Sequence, residues 1–479
     1  MADRQNIVVL GAGPTGLSAA WRLQELGHSD WLLLDAADEP GGLACSVVDD
    51  AGFTWDMGGH VVFSHYEYFD RLLDSLIGDW LEHQRESWVW IRERFIPYPF
   101  QHNIWKLPAE DLARCIDGLL EVEAARLSGK PQTKPANFAQ WIAQNFGPGL
   151  ADVFMTPYNR KVWAYDPSKL AAAWMGERVA TVDLKRSIHN LIFKRDDVSW
   201  GPNARFRFPL HGGTGAIWKA LANRLDPSRV RLKSTVVAVD TTKKTLRLSD
   251  GSIISYDKLI STMPLDTLLR IIVDQPSLTA LAPGFVHSST HVIGIGIDEK
   301  LSDAFATKCW MYFSEPQFPF YRMTVFSNYS PNNVPIPGRQ SSLMCEVAES
   351  PDTPIDGATV TQRCIDSLQE AGLLRREAPI ISKFHRRLEH GYPTPFVLRD
   401  ELLSRVEPAL VKLGIYSRGR FGGWKYEVSN QDHSSMQGVE AANHLLLGTP
   451  ELTIHDPEHV NRSGKRTLAE LPGDGKVRT

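Results

Sequence analysis

The chain has 479 residues, 43% hydrophobic and 23% charged, with a formal net charge of −4. This balance suits a globular protein of roughly two to four domains; it argues against bulk binding to nucleic acid or an anionic membrane, so any anionic ligand must be held by local arginines. The five scattered cysteines, never in CxxC spacing, point to a reducing, cytoplasmic setting with no disulfide framework and no metal site, and no apolar run reaches the ~20 residues that span a bilayer.

The first predicted elements form a βαβ unit. Ile7-Val8-Val9-Leu10 reads as a strand and runs into a glycine-rich turn, Gly11-Ala12-Gly13-Pro14-Thr15-Gly16. Ala19, Leu23 and Leu26 follow at helical spacing, and Trp31 to Leu34 reads as a second buried strand closed by Asp35. In a dinucleotide fold Gly11 permits the tight turn, Gly13 lets backbone approach a pyrophosphate, and Gly16 lets helix and strand pack closely. Asp35 stands where an acid can bond ribose hydroxyls, and the helix N-terminus favours phosphate. The apolar run imitates a signal-peptide core, but Met-Ala-Asp-Arg-Gln is no basic leader.

Further along come two glycine pairs, Gly41-Gly42 and Gly58-Gly59, the second followed by His60. Each is either an ordinary turn or backbone brought against a flat cofactor. Residues 85–107 suggest β-structure, with a stiff corner at Pro97-Tyr98-Pro99-Phe100-Gln101. From 108 to about 195 the spacing is helical, so the nucleotide-binding unit is expected to be discontinuous. Residues 229–262 alternate strands and turns, with a hairpin signal at Asp250-Gly251. Strands dominate from about 285 to 412, interrupted by a helix at about 361–373. A polar, glycine-rich stretch from Arg418 to Gly438 leads into a helix over Val439–Leu447, and the tail after 458 is expected to be poorly ordered.

Taken together these stretches resemble the UDP-galactopyranose mutases, closer to the eukaryotic type. The matching segments include Gly58 to Tyr66, Pro97 to Gln101, Pro157 to Trp163, Gly176 to Val179 and Gly201 to Asn203. They continue through Phe320-Tyr321-Arg322, Gly391 to Pro395, Gly419 to Gly422, and Tyr426 to His433. No one of them is decisive, and their joint order is specific. The resemblance implies an α/β chain of the glutathione-reductase-like type. Residues 1–84, 212–284 and 413–458 would form a discontinuous Rossmann-like FAD-binding domain. Residues 108–200 would form an inserted helical domain, residues 85–107 and 285–412 an antiparallel β-sheet substrate domain, and 459–479 a polar tail.

It also implies a reaction, the interconversion of UDP-galactopyranose and UDP-galactofuranose with no net redox change. In that family N5 of the reduced flavin attacks the anomeric carbon, UDP leaves, and a flavin–galactose iminium carries the ring change. Arg178 and Arg322 would clamp the diphosphate, with Tyr312, Tyr392 and Tyr426 donating hydroxyls. An isolated arginine more often forms an ion pair, and the assignment rests on the flanking match. Phe100 and Gln101, with Tyr98, Phe154 and Tyr158, would seat uracil. Asn159, Trp163, Asn203 and Trp310 would line the sugar slot. The flavin would lie against Gly11, Gly13, Pro14, Thr15, Gly16, Asp35, Gly42, Leu43, Gly58, Gly59, His60 and Val237, with Arg420, Asn430 and Gln431 near flavin and sugar. Arg85, Ser87 and Tyr98 fall where the family contacts NADPH, the expected reductant. Asp56, Glu177 and Glu427 are assigned to structure. Two other readings share the first motif: a flavin amine oxidase or desaturase, and a non-redox binding protein like Rab GDI. The oligomeric state, monomer or tetramer, is left open.

Overall fold

A computed structural model describes residues 3–129, 133–175, 181–198, 204–462 and 464–468. The β-branched start forms the strand Asp3–Leu10, which lies at the centre of a mixed sheet. It pairs in parallel with Trp31–Leu34 on one side and Ile253–Ser261 on the other. Beyond Ile253–Ser261 come the antiparallel strands Thr245–Leu248, joined to it through the Asp250-Gly251 turn, and Val236–Asp240. Ile415–Ser417 returns from far along the chain to pair in parallel with the same strand. Both faces of this sheet are covered, so its central strands read as continuous apolar runs, not alternating ones. Ile7, Val9 and Leu33 cluster with Leu17, Ala20 and Val439 of helices on one side, while Val8, Leu10 and Leu34 cluster with Leu268, Leu403 and Val406 of helices on the other.

The helix Pro14–Glu25 packs against Gln431–Leu447 at backbone distance: a Cβ on Gly438 would lie 2.0 Å from the Thr15 carbonyl oxygen. That closeness explains a difference from expectation. The last helix begins at Gln431, not Val439, although its first two turns are polar. Buried on every side, it shows no apolar period, and several of its polar groups find partners in the surrounding chain. Ser435 Oγ lies 2.7 Å from Ser18 Oγ, Gln437 Oε1 accepts the Gly419 amide at 2.7 Å, and Asn443 Oδ1 accepts Arg22 Nε–H at 2.8 Å.

A second sheet runs in the order Ile380–Pro393, His287–Ile297, Ser341–Glu349, Arg322–Val325, Trp310–Phe313, Ser87–Ile91, Arg94–Pro97. It is antiparallel except where Trp310–Phe313 runs parallel to Ser87–Ile91. The helical block between the sheets' segments includes Ala109–Leu127, Phe138–Leu150, Thr156–Trp163 and Leu184–Phe193. Within the stretch expected to be strands, Arg399–Lys412 is a helix, held by Leu403, Val406 and Leu410 at helical spacing.

The described part of the tail also departs from expectation, while residues 463 and 469–479 lie outside the described residues. Pro457–Arg462 is helical, and Val460 is fully buried. Arg466 then docks as a short β-bridge: its amide donates to the His65 carbonyl at 2.7 Å, and its carbonyl accepts the Glu67 amide at 2.8 Å. Its guanidinium donates to buried Glu440 Oε1 at 3.2 Å. Polar composition concealed a partner 400 residues earlier in the chain. Among the described residues no helix is long and apolar enough to cross a membrane.

Candidate functional site

The two sheets and the helical block enclose a cavity of about 1510 Å³. Single small-ligand sites usually span roughly 300–1,000 Å³, so this space suits a dinucleotide together with a second ligand. One end is the first βα turn. Gly11, at φ +104°, turns the chain out of the sheet, and Gly13, Pro14 and Thr15 border the cavity beside it. The Gly41 amide donates to the Ala12 carbonyl at 2.8 Å, which brings Gly42 and Leu43 to the same wall. A Cβ on Gly13 would meet no protein atom nearer than 3.9 Å; the space over it belongs to the cavity. Gly16 sits behind the wall, tight against Gly11. Asp35 borders the cavity and accepts the Ala12 amide at 2.5 Å and the Ala37 amide at 2.7 Å, leaving a fixed carboxylate at the expected ribose position. Val236, not Val237, lines the cavity; neighbours along a strand point to opposite faces.

The middle of the cavity is bordered by Gly58, Gly59, His60, Arg420, Asn430 and Gln431. Gln431 is anchored by Trp218, whose Nε1–H donates to Oε1 at 2.8 Å. His60 Nδ1 is buried with no hydrogen-bond partner among the described residues. Burial outweighs the pull of nearby Glu346, and Arg420 and Arg322 push the same way, so the imidazole pKa falls to about 4. The folded protein therefore binds fewer protons at His60 than the unfolded chain does between pH 4 and 6.5. Stability is expected to fall as pH drops through that window, by at most about 3 kcal/mol from this group. Urea unfolding across the window checks this: His60→Asn should show a shallower decline, and an unchanged slope would rule out a neutral buried imidazole. The neutral ring also argues against a cationic role.

At the far end stand Arg322, Tyr312, Tyr392, Tyr426, Trp310, Tyr98 and Arg85. Arg322 forms a bidentate pair with Glu346, Nε to Oε1 at 2.7 Å and Nη2 to Oε2 at 2.8 Å. The ion pair that an isolated arginine prefers is thus present, yet the guanidinium still borders the cavity. Tyr392 lies 3.3 Å from the Tyr321 hydroxyl, and Arg420 stacks over the Tyr392 ring at 4.9 Å while donating to Ser429 Oγ and the Gly391 carbonyl, each at 3.0 Å. Burial raises the Tyr98 hydroxyl to about 12 and lifts Tyr392 as well, so both stay protonated and able to donate. Arg85 lies over Trp310 at 4.8 Å and Tyr98 at 5.5 Å, oriented by its bond to Ser87 Oγ at 3.0 Å. Ser87 itself is fully buried behind it.

Several expected substrate residues form a layer behind this wall. Trp163 packs edge-on against Tyr426 at 4.9 Å and Tyr392 at 5.8 Å. Phe154 stacks on Tyr158 at 5.1 Å and meets Phe100 at 4.5 Å; Tyr158 in turn meets Tyr312 at 5.3 Å. Gln101 is buried, and Asn159 donates to the Met155 carbonyl at 2.8 Å. Arg178, Glu177 and Asn203 lie outside the described residues. Asp56 bonds Ser46 and Thr214, and Glu427 pairs with Arg399.

Sequence reasoning missed Glu346 and Tyr321. Glu346 is the one charge inside the apolar run Leu343 to Ala348, a signal that it needs a buried partner. The partner emerges only from register, which sets Arg322 directly opposite Glu346 on the neighbouring strand.

The residues present fit a flavin dinucleotide: open space over Gly13, the Asp35 carboxylate on the cavity wall, and a buried His60 Nδ1 without a partner among the described residues. Comparison with known proteins agrees. Residues 14–371 match the model of the flavin containing amine oxidoreductase family. A crystal structure of reduced UDP-galactopyranose mutase is 48% identical, with a TM-score of 0.93 over 97% of this chain and 98% of that one. A CLA-producing fatty acid isomerase from P. acnes shares the fold alone, at 14% identity and a TM-score of 0.62 over 92% and 99% of the two chains. A 15-cis-phytoene desaturase from Glycine max is 38% identical over 85 residues, which cover 18% of this chain and only 15% of that protein's length. The chain belongs to the flavin-containing amine oxidoreductase family and, within it, to the UDP-galactopyranose mutases.

Proposed function

We propose that the protein interconverts UDP-galactopyranose and UDP-galactofuranose on reduced FAD, in the cytoplasm, with NADPH as reductant. The observation that carries this reading is Arg322: a guanidinium beside the His60 loop, among tyrosine hydroxyls, in a cavity continuous with the dinucleotide turn. An apolar tunnel, which an amine oxidase would favour, does not match that lining. Bound and reduced, FAD supplies a nucleophilic nitrogen for the anomeric carbon of the sugar.

The protein's part is then electrostatic and positional. As UDP departs, charge grows on the diphosphate, and Arg322 with the Tyr312, Tyr392 and Tyr426 hydroxyls stabilises it. Arg178 is proposed as the second clamp. Held in place, the UDP can return to the rearranged sugar without diffusing away. Tyr98, Tyr158 and the Phe100–Phe154 layer would shape the uracil end, and Trp163, Asn159, Asn203 and Trp310 the sugar slot.

The test is turnover. The purified protein should be yellow, and after reduction by dithionite or NADPH it should convert UDP-galactofuranose to UDP-galactopyranose, while the oxidised protein should not. A reduced, flavin-loaded protein that leaves the substrate unchanged would remove the proposal; a colourless one would favour the non-redox binding protein. For the reductant, Arg85 against two aromatic faces on the cavity wall supports an anionic nucleotide there. Arg85→Ala is expected to raise the KM for NADPH about tenfold, on the scale of one such contact. Turnover started with dithionite should stay near normal. Equal NADPH kinetics in the variant would move the reductant elsewhere.

A further inference from the structure

Glu346 is 3% exposed and touches both Arg322 and the Gly58–His60 loop. Its Oε1 accepts Arg322 Nε–H at 2.7 Å and the Gly59 amide at 3.0 Å; its Oε2 accepts Arg322 Nη2–H and the Tyr321 hydroxyl, each at 2.8 Å. One oxygen is therefore shared between the guanidinium and the loop that carries His60. That loop is held closely: a Cβ on Gly59 would lie 2.6 Å from Thr324 Oγ1 and 3.4 Å from Glu346 Oε1. Gly58, at φ +131°, needs glycine, and its carbonyl accepts the His60 amide at 2.7 Å, so the orientation of the Gly58–Gly59 peptide and the placing of His60 depend on each other. Arg322 Nη1 has no hydrogen-bond acceptor among the described residues, and it is the edge of the guanidinium left for a ligand.

We propose that Glu346 is a positioning residue that couples an anion on Arg322 to the Gly58–His60 loop, and through that loop to the cofactor ring. The inference rests on the functional reading above, in which Arg322 holds the diphosphate. The physical route is competition at one carboxylate. A diphosphate on Nη1 shares the positive charge that Glu346 now holds alone, and a charge-assisted bond weakens when its donor is shared. Oε1 then turns more of its accepting capacity to the Gly59 amide, in a water-poor setting where such shifts are large. Glu346 remains ionised throughout: burial pushes its pKa up, but Arg322, the Gly59 amide and the Tyr321 hydroxyl outweigh it. Coupling of this kind is reciprocal, so the redox state of the ring must change UDP affinity by the same factor that UDP changes the ring's reduction equilibrium.

The experiment measures UDP dissociation constants for the oxidised and reduced flavin-loaded protein, and the flavin midpoint potential with and without UDP. In the wild type the two dissociation constants are expected to differ by about fivefold or more, a usual size for coupling, with a matching shift in potential. In Glu346→Gln, UDP should still bind and the ratio should collapse to about twofold or less. Glu346→Asp keeps the charge and shortens its reach, so it should also lose most of the ratio, and it decides the matter if the Gln variant does not fold. A merely structural Glu346 would lower stability and leave the ratio unchanged, and a wild-type ratio in the folded variants overturns the proposal. If the wild type turns over and binds UDP equally in both redox states, the coupling fails and the functional reading stands. If it neither binds UDP nor turns over, both fall.

Discussion

Arg322→Ala is expected to lower kcat by about a hundredfold to a thousandfold, the scale of about 2–4 kcal/mol lost with one charge-assisted donor aimed at a leaving group. The same change has a second consequence, because it strands Glu346. Removing one partner of a buried pair costs about 3–5 kcal/mol, largely from the charge left behind. The two effects separate in the double variant Arg322→Ala/Glu346→Gln. With the stranded charge gone, stability should recover most of its loss, while turnover should stay as low as in the single variant. Urea unfolding and single-turnover kinetics read the two quantities independently. Near-normal turnover in Arg322→Ala would end its assignment to the diphosphate. Loss of turnover that returned along with stability would reduce Arg322 to a structural ion pair.

The next largest contrast lies in the first turn, where two glycines three residues apart should fail for different reasons. A Cβ on Gly16 would lie 1.8 Å from the Gly11 carbonyl oxygen, a backbone atom that cannot move aside. Gly16→Ala is expected to disrupt the strand–helix contact and to yield little folded protein. Gly13 has φ −81°, which any residue adopts, and its nearest protein neighbour to a new Cβ is 3.9 Å away. Gly13→Ala should therefore fold with the stability of the flavin-free wild type. Its FAD affinity should drop about tenfold to a hundredfold, the effect of one or two kcal/mol of overpacking against a ligand. Flavin fluorescence titration of the refolded protein measures it. Wild-type affinity in Gly13→Ala would mean that no pyrophosphate passes over this residue.

Much of this was legible in the sequence where local chemistry sets structure. The strand–glycine turn–helix of residues 7–25 and the Asp250-Gly251 hairpin announce themselves because each is decided by neighbours in the chain. Arg322, Tyr312, Tyr392 and Tyr426 came from flanking resemblance, and the structure brings them to one wall. What could not be read depends on distant pairing. Glu346 acquires its meaning only when two strands are set in register. Residues 431–438 look like loop because a helix buried on every side has no apolar stripe. Phe100, Phe154 and Trp163 sit one layer behind the wall, since an aromatic's type does not tell which side of a packed layer it occupies.

The docked stretch around Arg466 carries a consequence for handling the molecule. Because it closes main-chain bonds on His65 and Glu67, only a few residues beyond Gly58–His60, a protease cut just before Gly464 would release more than a loose end. It would leave Glu440 without its guanidinium and remove the main-chain bonds to His65 and Glu67, so a nicked preparation should shed its colour sooner than an intact one.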